Sequence, residues 1–112
     1  MTAKINFTSN AIDIGMVTTN DSKMLHFYQE VLGFDKEIEI PFPGIGVVNK
    51  LSYGAGYIKI LVLESNPSNI NPIGDFSTSN GIRYITINLS NLDEILDACK
   101  VNNINIINII NR

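Results

Sequence analysis

The side chains best suited to chemistry are few in this chain and lie in separate segments. The only histidine, His26, and the only cysteine, Cys99, both fall in stretches with helical periodicity. Cys99 belongs to the apolar stripe of its stretch, so we expect a buried, unreactive thiol. No nucleophile stands beside a base in a pattern typical of a catalytic pair. The polar groups of most interest are Lys59 and Tyr84, which lie in strand-like segments.

Composition limits the kinds of protein to consider. With 112 residues, 45% hydrophobic and 17% charged, the chain has room for one globular domain. Its net charge of -3 is spread along the sequence without a run of Lys or Arg, which argues against a nucleic-acid or membrane partner. The sequence has no apolar stretch of membrane-spanning length, no secretory signal and a single cysteine. We therefore expect a cytoplasmic protein.

The first half reads as a strand, a helix and three further strands. The helix is predicted over Ser22–Leu32, with Asn20 or Asp21 as its N-cap and Gly33 as a left-handed stop. The predicted strands are Ile12–Thr18, Lys36–Ile40, Gly46–Tyr53 and Tyr57–Leu63. A segment rich in Asn, Ser, Pro and Gly follows, and we interpret it as a linker.

The second half repeats the beginning of the first at an offset of 70 residues. Ile82–Leu89 is strand-like, and Ser90 to Asp93 has the spacing of a capping box. A helical stripe follows, with Asn103 as its predicted left-handed stop, and the composition of Ile104–Ile110 predicts one more strand. The stripe consists of Leu92, Ile95, Leu96 and Cys99. We interpret the two halves as a duplicated unit.

Three segments carry a family resemblance. They are Ile12-Asp13-Ile14-Gly15-Met16-Val17-Thr18, then Phe27-Tyr28-Gln29-Glu30-Val31-Leu32-Gly33-Phe34, and then Gly81-Ile82-Arg83-Tyr84-Ile85-Thr86-Ile87-Asn88. Together they resemble the glyoxalase/bleomycin-resistance superfamily, also called vicinal oxygen chelate proteins. The resemblance implies an α+β fold, with paired βαβββ modules forming a curled mixed sheet around a cleft. Within one domain, 1–112, it implies a first module at 11–64, a linker at 65–80 and a partial second module at 81–112 with βαβ only.

Enzymes of that family hold a divalent metal in the cleft, and the resemblance places three of the ligand positions on Ile14, Lys59 and Tyr84. Ile has no donor atom, Lys is cationic at neutral pH, and a neutral Tyr is a poor ligand for a divalent ion. Shifting the first strand by one residue would offer Asp13, but the shift turns over the faces of that strand. We therefore expect no metal and no cofactor.

The same alignment predicts a ligand-binding face, because alternate residues of a strand share a face. Polar groups gather there above an apolar floor, as in many small-molecule sites. Several have simpler explanations: Lys59 can pair with Glu37 or Glu39, Tyr84 can be a core-edge residue, and the polar residues beside it can face water. The predicted ligand-binding residues are Ile14, Met16, Thr18, Lys59, Leu61, Tyr84, Thr86 and Asn88.

The function indicated by the resemblance is metal-independent binding of a small organic ligand, for sequestration or sensing. Two alternatives stay open: a glyoxalase-family lyase/isomerase or dioxygenase-like enzyme, and a degenerate module acting through protein–protein contacts. The apolar, uncharged stretch Asn105–Ile110 would leave an unprotected strand at a sheet edge. We therefore expect either a longer natural protein or a second chain that closes the cleft, as in a homodimer.

The residues at the three ligand positions generate the first prediction. The purified protein should carry no stoichiometric divalent metal, because Ile14, Lys59 and Tyr84 offer no suitable set of donor atoms. Elemental analysis of protein prepared without chelators measures this directly. A stoichiometric amount of tightly held Zn, Ni, Mn or Fe bound by these strands would contradict it.

Overall fold

The computed structural model describes residues 3–19 and 23–107 of the chain. The chain divides into two compact units, Met1–Asn66 and Pro67–Arg112. They are called here the N-terminal unit and the C-terminal unit, and each is described by itself.

Among its described residues, 3–19 and 23–66, the N-terminal unit contains one helical segment and four strands. Strand β1 is Ile14–Thr18; helix α1 is Lys23–His26 and continues as a π-helical turn, Phe27–Val31; β2, β3 and β4 are Asp35–Phe42, Gly46–Ser52 and Tyr57–Leu63. The predicted elements are therefore confirmed, and β4 has the bounds predicted for it. Gly33 has φ of +78°, which confirms it as the left-handed stop. The predicted caps, Asn20 or Asp21, lie outside the described residues.

The four strands form one mixed sheet in the order β1-β4-β3-β2. β1 runs parallel to β4, whereas β3 is antiparallel to both β4 and β2. The predicted α+β class is thus confirmed for this unit. β2 continues through Pro41, where the sequence predicted a break; proline is tolerated because β2 is an edge strand of this sheet and Pro41 need not donate to a ladder.

The register of the ladders defines two faces of this sheet, each named here after one residue. The Ile60 face carries Ile14, Met16 and Thr18 of β1; Ile58, Ile60 and Val62 of β4; Val47, Asn49 and Leu51 of β3; and Lys36, Glu39 and Pro41 of β2. The Lys59 face carries Gly15 and Val17; Tyr57, Lys59, Leu61 and Leu63; Gly46, Val48, Lys50 and Ser52; and Asp35, Ile38, Ile40 and Phe42.

Burial differs sharply between these faces. Leu51, Ile58 and Ile60 of the Ile60 face are buried and form the apolar core together with Tyr28 and Val31 of the helical turn. The amide of Asn49 is also buried, and it is satisfied by donating from Nδ2 to the carbonyl oxygens of Ile60 and Val47, each at 3.3 Å. The exposed large hydrophobic side chains of the strands, Val17, Ile38, Ile40 and Phe42, belong instead to the Lys59 face.

The C-terminal unit is mainly irregular where the structure describes it. It contains a 3-10 turn, Phe76–Thr78, and helix α2, Leu92–Val101. The predicted helix is confirmed, with Cys99 buried and Asn103 at φ of +57° as its left-handed stop. The capping box is wrong: Asn91 is the N-cap and makes no side-chain cap bond to the backbone, although its Nδ2 donates to Glu94 Oε2 at 3.1 Å.

The strands predicted for this unit are not found among its described residues. Residues 82–89 and 104–107 have no strand assignment, and residues 108–112 lie outside the description. A strand forms only where its backbone hydrogen-bonds to a neighbouring strand. A sequence with alternating Ile residues favours an extended backbone but does not by itself provide that neighbour. The predicted βαβ order of a second module is therefore not confirmed. Among residues 3–19 and 23–107 there is also no helix of the length and apolar character needed to cross a bilayer.

The contrast in burial generates a stability prediction with a matched control. Ile60 is 0% exposed and Ile40 is 42% exposed, and both are strand isoleucines of the same sheet. Ile60→Ala should lower the free energy of unfolding of this unit by about 2–5 kcal/mol, because it leaves a cavity. Ile40→Ala should cost about 1 kcal/mol or less. Urea unfolding followed by circular dichroism gives both values; equal losses would show that the two faces are equally buried.

Candidate functional site

The ladder between β1 and β4 corrects the predicted ligand-binding face. Ile14 pairs with Ile58, Met16 with Ile60 and Thr18 with Val62. Paired residues project from the same side of a sheet, so Ile14, Met16 and Thr18 lie on the Ile60 face. Lys59 and Leu61 lie on the opposite face, as their own alternation predicted. The prediction that these five residues share one face is therefore wrong by one residue of β1.

Asp13, just before β1, lies beside Lys59 as a result of this register. Its Oδ2 is 3.4 Å from Lys59 Nζ, and its Oδ1 accepts a hydrogen bond of 3.2 Å from the Tyr57 backbone N–H. Both side chains of the ion pair are partly exposed, so the pair contributes little to stability. The bond to Tyr57 adds a second anchor for the carboxylate. Lys59 thus pairs with Asp13, and not with Glu37 or Glu39 as the simpler explanation proposed.

A second cation, Lys50, lies next to Lys59 on the same face. The two residues are directly opposite each other in the β3–β4 ladder. Lys50 Nζ lies 4.0 Å from the centre of the Tyr57 ring, a favourable cation–π geometry. Glu37, which lies where the β2 register shifts, raises the pKa of Tyr57 above its ordinary value of 10.0, first as a hydrogen-bond partner of the phenol and next through its negative charge. Burial and the charge of Asp13 contribute less to the upward shift.

Apolar side chains continue the Lys59 face beyond the lysines. The next register row across the sheet is Val17, Leu61, Val48 and Ile40, and Phe42 and Leu63 flank it. Val17 is 59% exposed, and Ile38 and Phe42 are also exposed. The Lys59 face therefore combines a partly exposed apolar area with two ammonium groups and their anionic neighbours at one side of it. Such a combination suits a ligand with both apolar and polar parts.

The predicted residues of the second half lie in the C-terminal unit and not in a strand. Tyr84 is 72% exposed, and its ring packs edge-on against Phe76 with the centroids 5.9 Å apart. Thr86 and Asn88 are exposed. The structure does not show them on a sheet face with Lys59, and their role in binding stays a prediction.

A separate depression lies near the N-terminal segment. It has a volume of about 550 Å³, and the Tyr53 hydroxyl beside it donates to the Ile12 carbonyl at 3.3 Å. It is lined by Phe7, Ser9, Asn10, Ala11, Ile12 and Tyr53. It contains no ionisable group other than the Tyr53 phenol, so it offers little to orient a ligand.

The donor groups for a metal are equally sparse. Within the part of the chain that the structure describes, no group of three or more His, Cys, Asp or Glu side chains converges. The side chains at the positions aligned with the family ligands are Ile14, Lys59 and Tyr84, and these do not suit a divalent cation. The absence of a bound metal remains a prediction for the elemental analysis.

Sequence reasoning missed Lys50, offered Glu37 as a partner of Lys59 and not of Tyr57, and set Asp13 aside. The alternation in β3 does not show which of its two faces is buried, because both sets of alternate residues contain a polar side chain. One set is Val47, Asn49 and Leu51, and the other is Val48, Lys50 and Ser52. The β2 register shift beside Glu37 is invisible in the sequence pattern. The signal that was available is the charge of Asp13, which suits Lys59 once β1 is shifted by one residue.

Comparisons with family models, curated proteins and solved structures found no match for this chain. The resemblance to the glyoxalase/bleomycin-resistance superfamily therefore stays a prediction that rests on the sequence segments.

The Glu37–Tyr57 contact generates a prediction about pH. Glu37→Gln should lower the Tyr57 pKa toward 10.0, because it removes the main cause of the upward shift. Asp13→Asn should lower it less, since the Asp13 charge is the smallest cause. The Tyr28 pKa, raised by burial, should not change. The ring ¹³C chemical shifts of Tyr57 and Tyr28, followed against pH in the wild type and in both variants, measure these pKa values.

The sign of the linked stability follows from the raised pKa. The contact stabilises the fold while Tyr57 is protonated, fully so below the unfolded-state pKa, and this contribution is lost as pH rises through the folded-state pKa. An unchanged Tyr57 pKa in Glu37→Gln would contradict the contact.

Proposed function

We propose that this protein binds a small organic ligand on the Lys59 face, without a metal, in the manner of sequestering or sensing members of the glyoxalase/bleomycin-resistance superfamily. The observation that carries the proposal is the composition of that face. A partly exposed apolar row lies directly beside two lysines, one paired with a carboxylate and the other with an aromatic ring. The order of elements in the N-terminal unit, one strand, a helix and three strands, supports the family part of the proposal.

Contact between apolar groups and water is unfavourable, and a ligand that covers these groups displaces that water. Burying apolar surface gains roughly 25 cal/mol per Å². Val17, Ile38, Ile40 and Phe42 are exposed on one face, so a ligand there has several apolar partners at once. The charged and phenolic groups at one side would then orient it. An enzyme is less well supported, since the sequence has no nucleophile beside a base in a pattern typical of a catalytic pair.

A second candidate function is protein association through the same face, with a homodimer as its simplest form. The exposed apolar side chains that favour a ligand favour a protein surface as well. The charged groups distinguish the two, because the centre of protein interfaces is depleted in charged residues. We therefore place ligand binding first. The cytoplasmic location stays an expectation from the sequence.

A fragment screen followed by ¹⁵N NMR tests ligand binding. Hits should shift the backbone amides of Lys59, Leu61 and Val48. Leu61→Gln should weaken these hits by roughly tenfold or more, because it removes one apolar partner from the face. Phe7→Gln is the matched control, since Phe7 is exposed but lines the separate depression. Hits that depend on Phe7 and not on Leu61 would sink the proposal.

Association is tested by sedimentation velocity over a range of protein concentrations. If the Lys59 face is a protein interface, Phe42→Lys should shift the wild-type oligomer toward monomer, because it places a charge among apolar contacts. Ser79→Lys, in the C-terminal unit, is the control for added charge alone. A wild-type chain that is monomeric at the highest concentration, yet binds fragments on this face, would rule out the second candidate.

A further inference from the structure

Two lysines directly opposite each other in a ladder are an unfavourable arrangement by themselves. Lys50 and Lys59 are register partners in β3 and β4, so their Cα atoms are about 4.5–5.5 Å apart and their side chains leave the same face. Like charges in this position destabilise a sheet. The surrounding groups offset the repulsion: Asp13 lies beside Lys59, and the Tyr57 ring lies beneath Lys50.

Neither ammonium group is saturated by these neighbours. An ammonium has three N–H donors. The ion pair of Lys59 with Asp13, at 3.4 Å, occupies one direction of approach, and Lys59 remains exposed. Lys50 faces the Tyr57 ring on one side, which leaves its other side for an oxygen acceptor. A single carboxylate or sulfonate has oxygen atoms enough to accept from both lysines at once.

The apolar row begins one register position away from the lysines. Along β4, Leu61 follows Lys59 by two residues on the same face, and Val48 precedes Lys50 by two residues on β3. Two residues along a strand span about 6.6 Å. An anionic head between the lysines would therefore place an attached hydrocarbon over Leu61 and Val48.

We propose that the ligand of the Lys59 face is an amphipathic anion, with its acidic head group held between Lys50 and Lys59 and its apolar part lying on Leu61 and Val48. This inference rests on the function proposed above and adds the chemical class of the ligand. Asp13 acts as an internal competitor, because its carboxylate already forms an ion pair with Lys59. Glu37 acts through Tyr57, whose ring holds the Lys50 ammonium in place.

A matched set of eight-carbon probes tests the head-group preference. Octanoate, octan-1-ol and octyltrimethylammonium are titrated below their micelle concentrations, at constant ionic strength, into the ¹⁵N-labelled full chain. Octanoate should bind about tenfold or more tightly than octan-1-ol, as expected for a charged hydrogen-bonding head, and should shift the amides of Lys50, Lys59 and Leu61. The cation should bind most weakly.

Variants assign the preference to the two lysines. Lys59→Met and Lys50→Met should each reduce the affinity for octanoate toward that for octan-1-ol, and Lys59→Arg should retain the preference. Asp13→Asn should tighten octanoate binding and leave octan-1-ol unchanged, because Asn keeps an oxygen for the Tyr57 N–H but removes the competing charge. Lys36→Met is the control, since Lys36 lies on the Ile60 face.

The outcomes separate this inference from the function on which it rests. Equal binding of octanoate and octan-1-ol on the Lys59 face would overturn the anion assignment and leave ligand binding intact. A preference for octanoate that survives both methionine variants would also overturn it. If neither these probes nor any fragment shifts the amides of this face, ligand binding itself is wrong.

Discussion

The parallel pairing of β1 with β4 is the constraint on which the arrangement of the N-terminal unit depends. It sets Ile14 opposite Ile58, and this one choice decides which side chains of β1 are half-buried beside the core and which stay exposed to water. The alternate residues of β1 that are mainly apolar therefore lie on the same face of the sheet as the buried Ile60. The same choice carries Asp13 to Lys59 and makes that face a mixture of apolar and charged groups. A shift by one residue would exchange these roles along the whole strand.

The sequence predicted those features of the fold that depend on neighbouring residues, and it did not predict those that depend on contacts between distant segments. Local signals succeeded: Gly33 and Asn103 end their helices with positive φ, and Cys99 is buried on the stripe of α2. The alternation of β4 was readable because Ile58 and Ile60 contrast with Lys59. Relations between strands were not readable in the same way, because the register of β1 depends on its partner. Composition alone was also not enough to predict a strand. Ile82–Leu89 has a β-like composition, but these residues form no ladder.

The candidate site follows the same division. Lys59 was predicted from the family resemblance, but its neighbours come from three other segments. Asp13 depends on the β1 register, Lys50 on the β3–β4 ladder and Glu37 on an irregularity in β2. None of these relations is local in sequence. The group of charges around Tyr57 therefore emerges only when the sheet is assembled, although every member is an ordinary surface residue by composition.

The two edges of this sheet differ in how readily they can accept an additional strand. β2 is interrupted by the register shift after Lys36 and by Pro41, which has no N–H to donate. β1 has neither feature over Ile14–Thr18, and its outer backbone groups form a regular row. Uncontrolled growth of a sheet into aggregates requires a regular, unbroken edge. The β2 edge is thus protected against such growth, whereas the β1 edge has neither of these two safeguards.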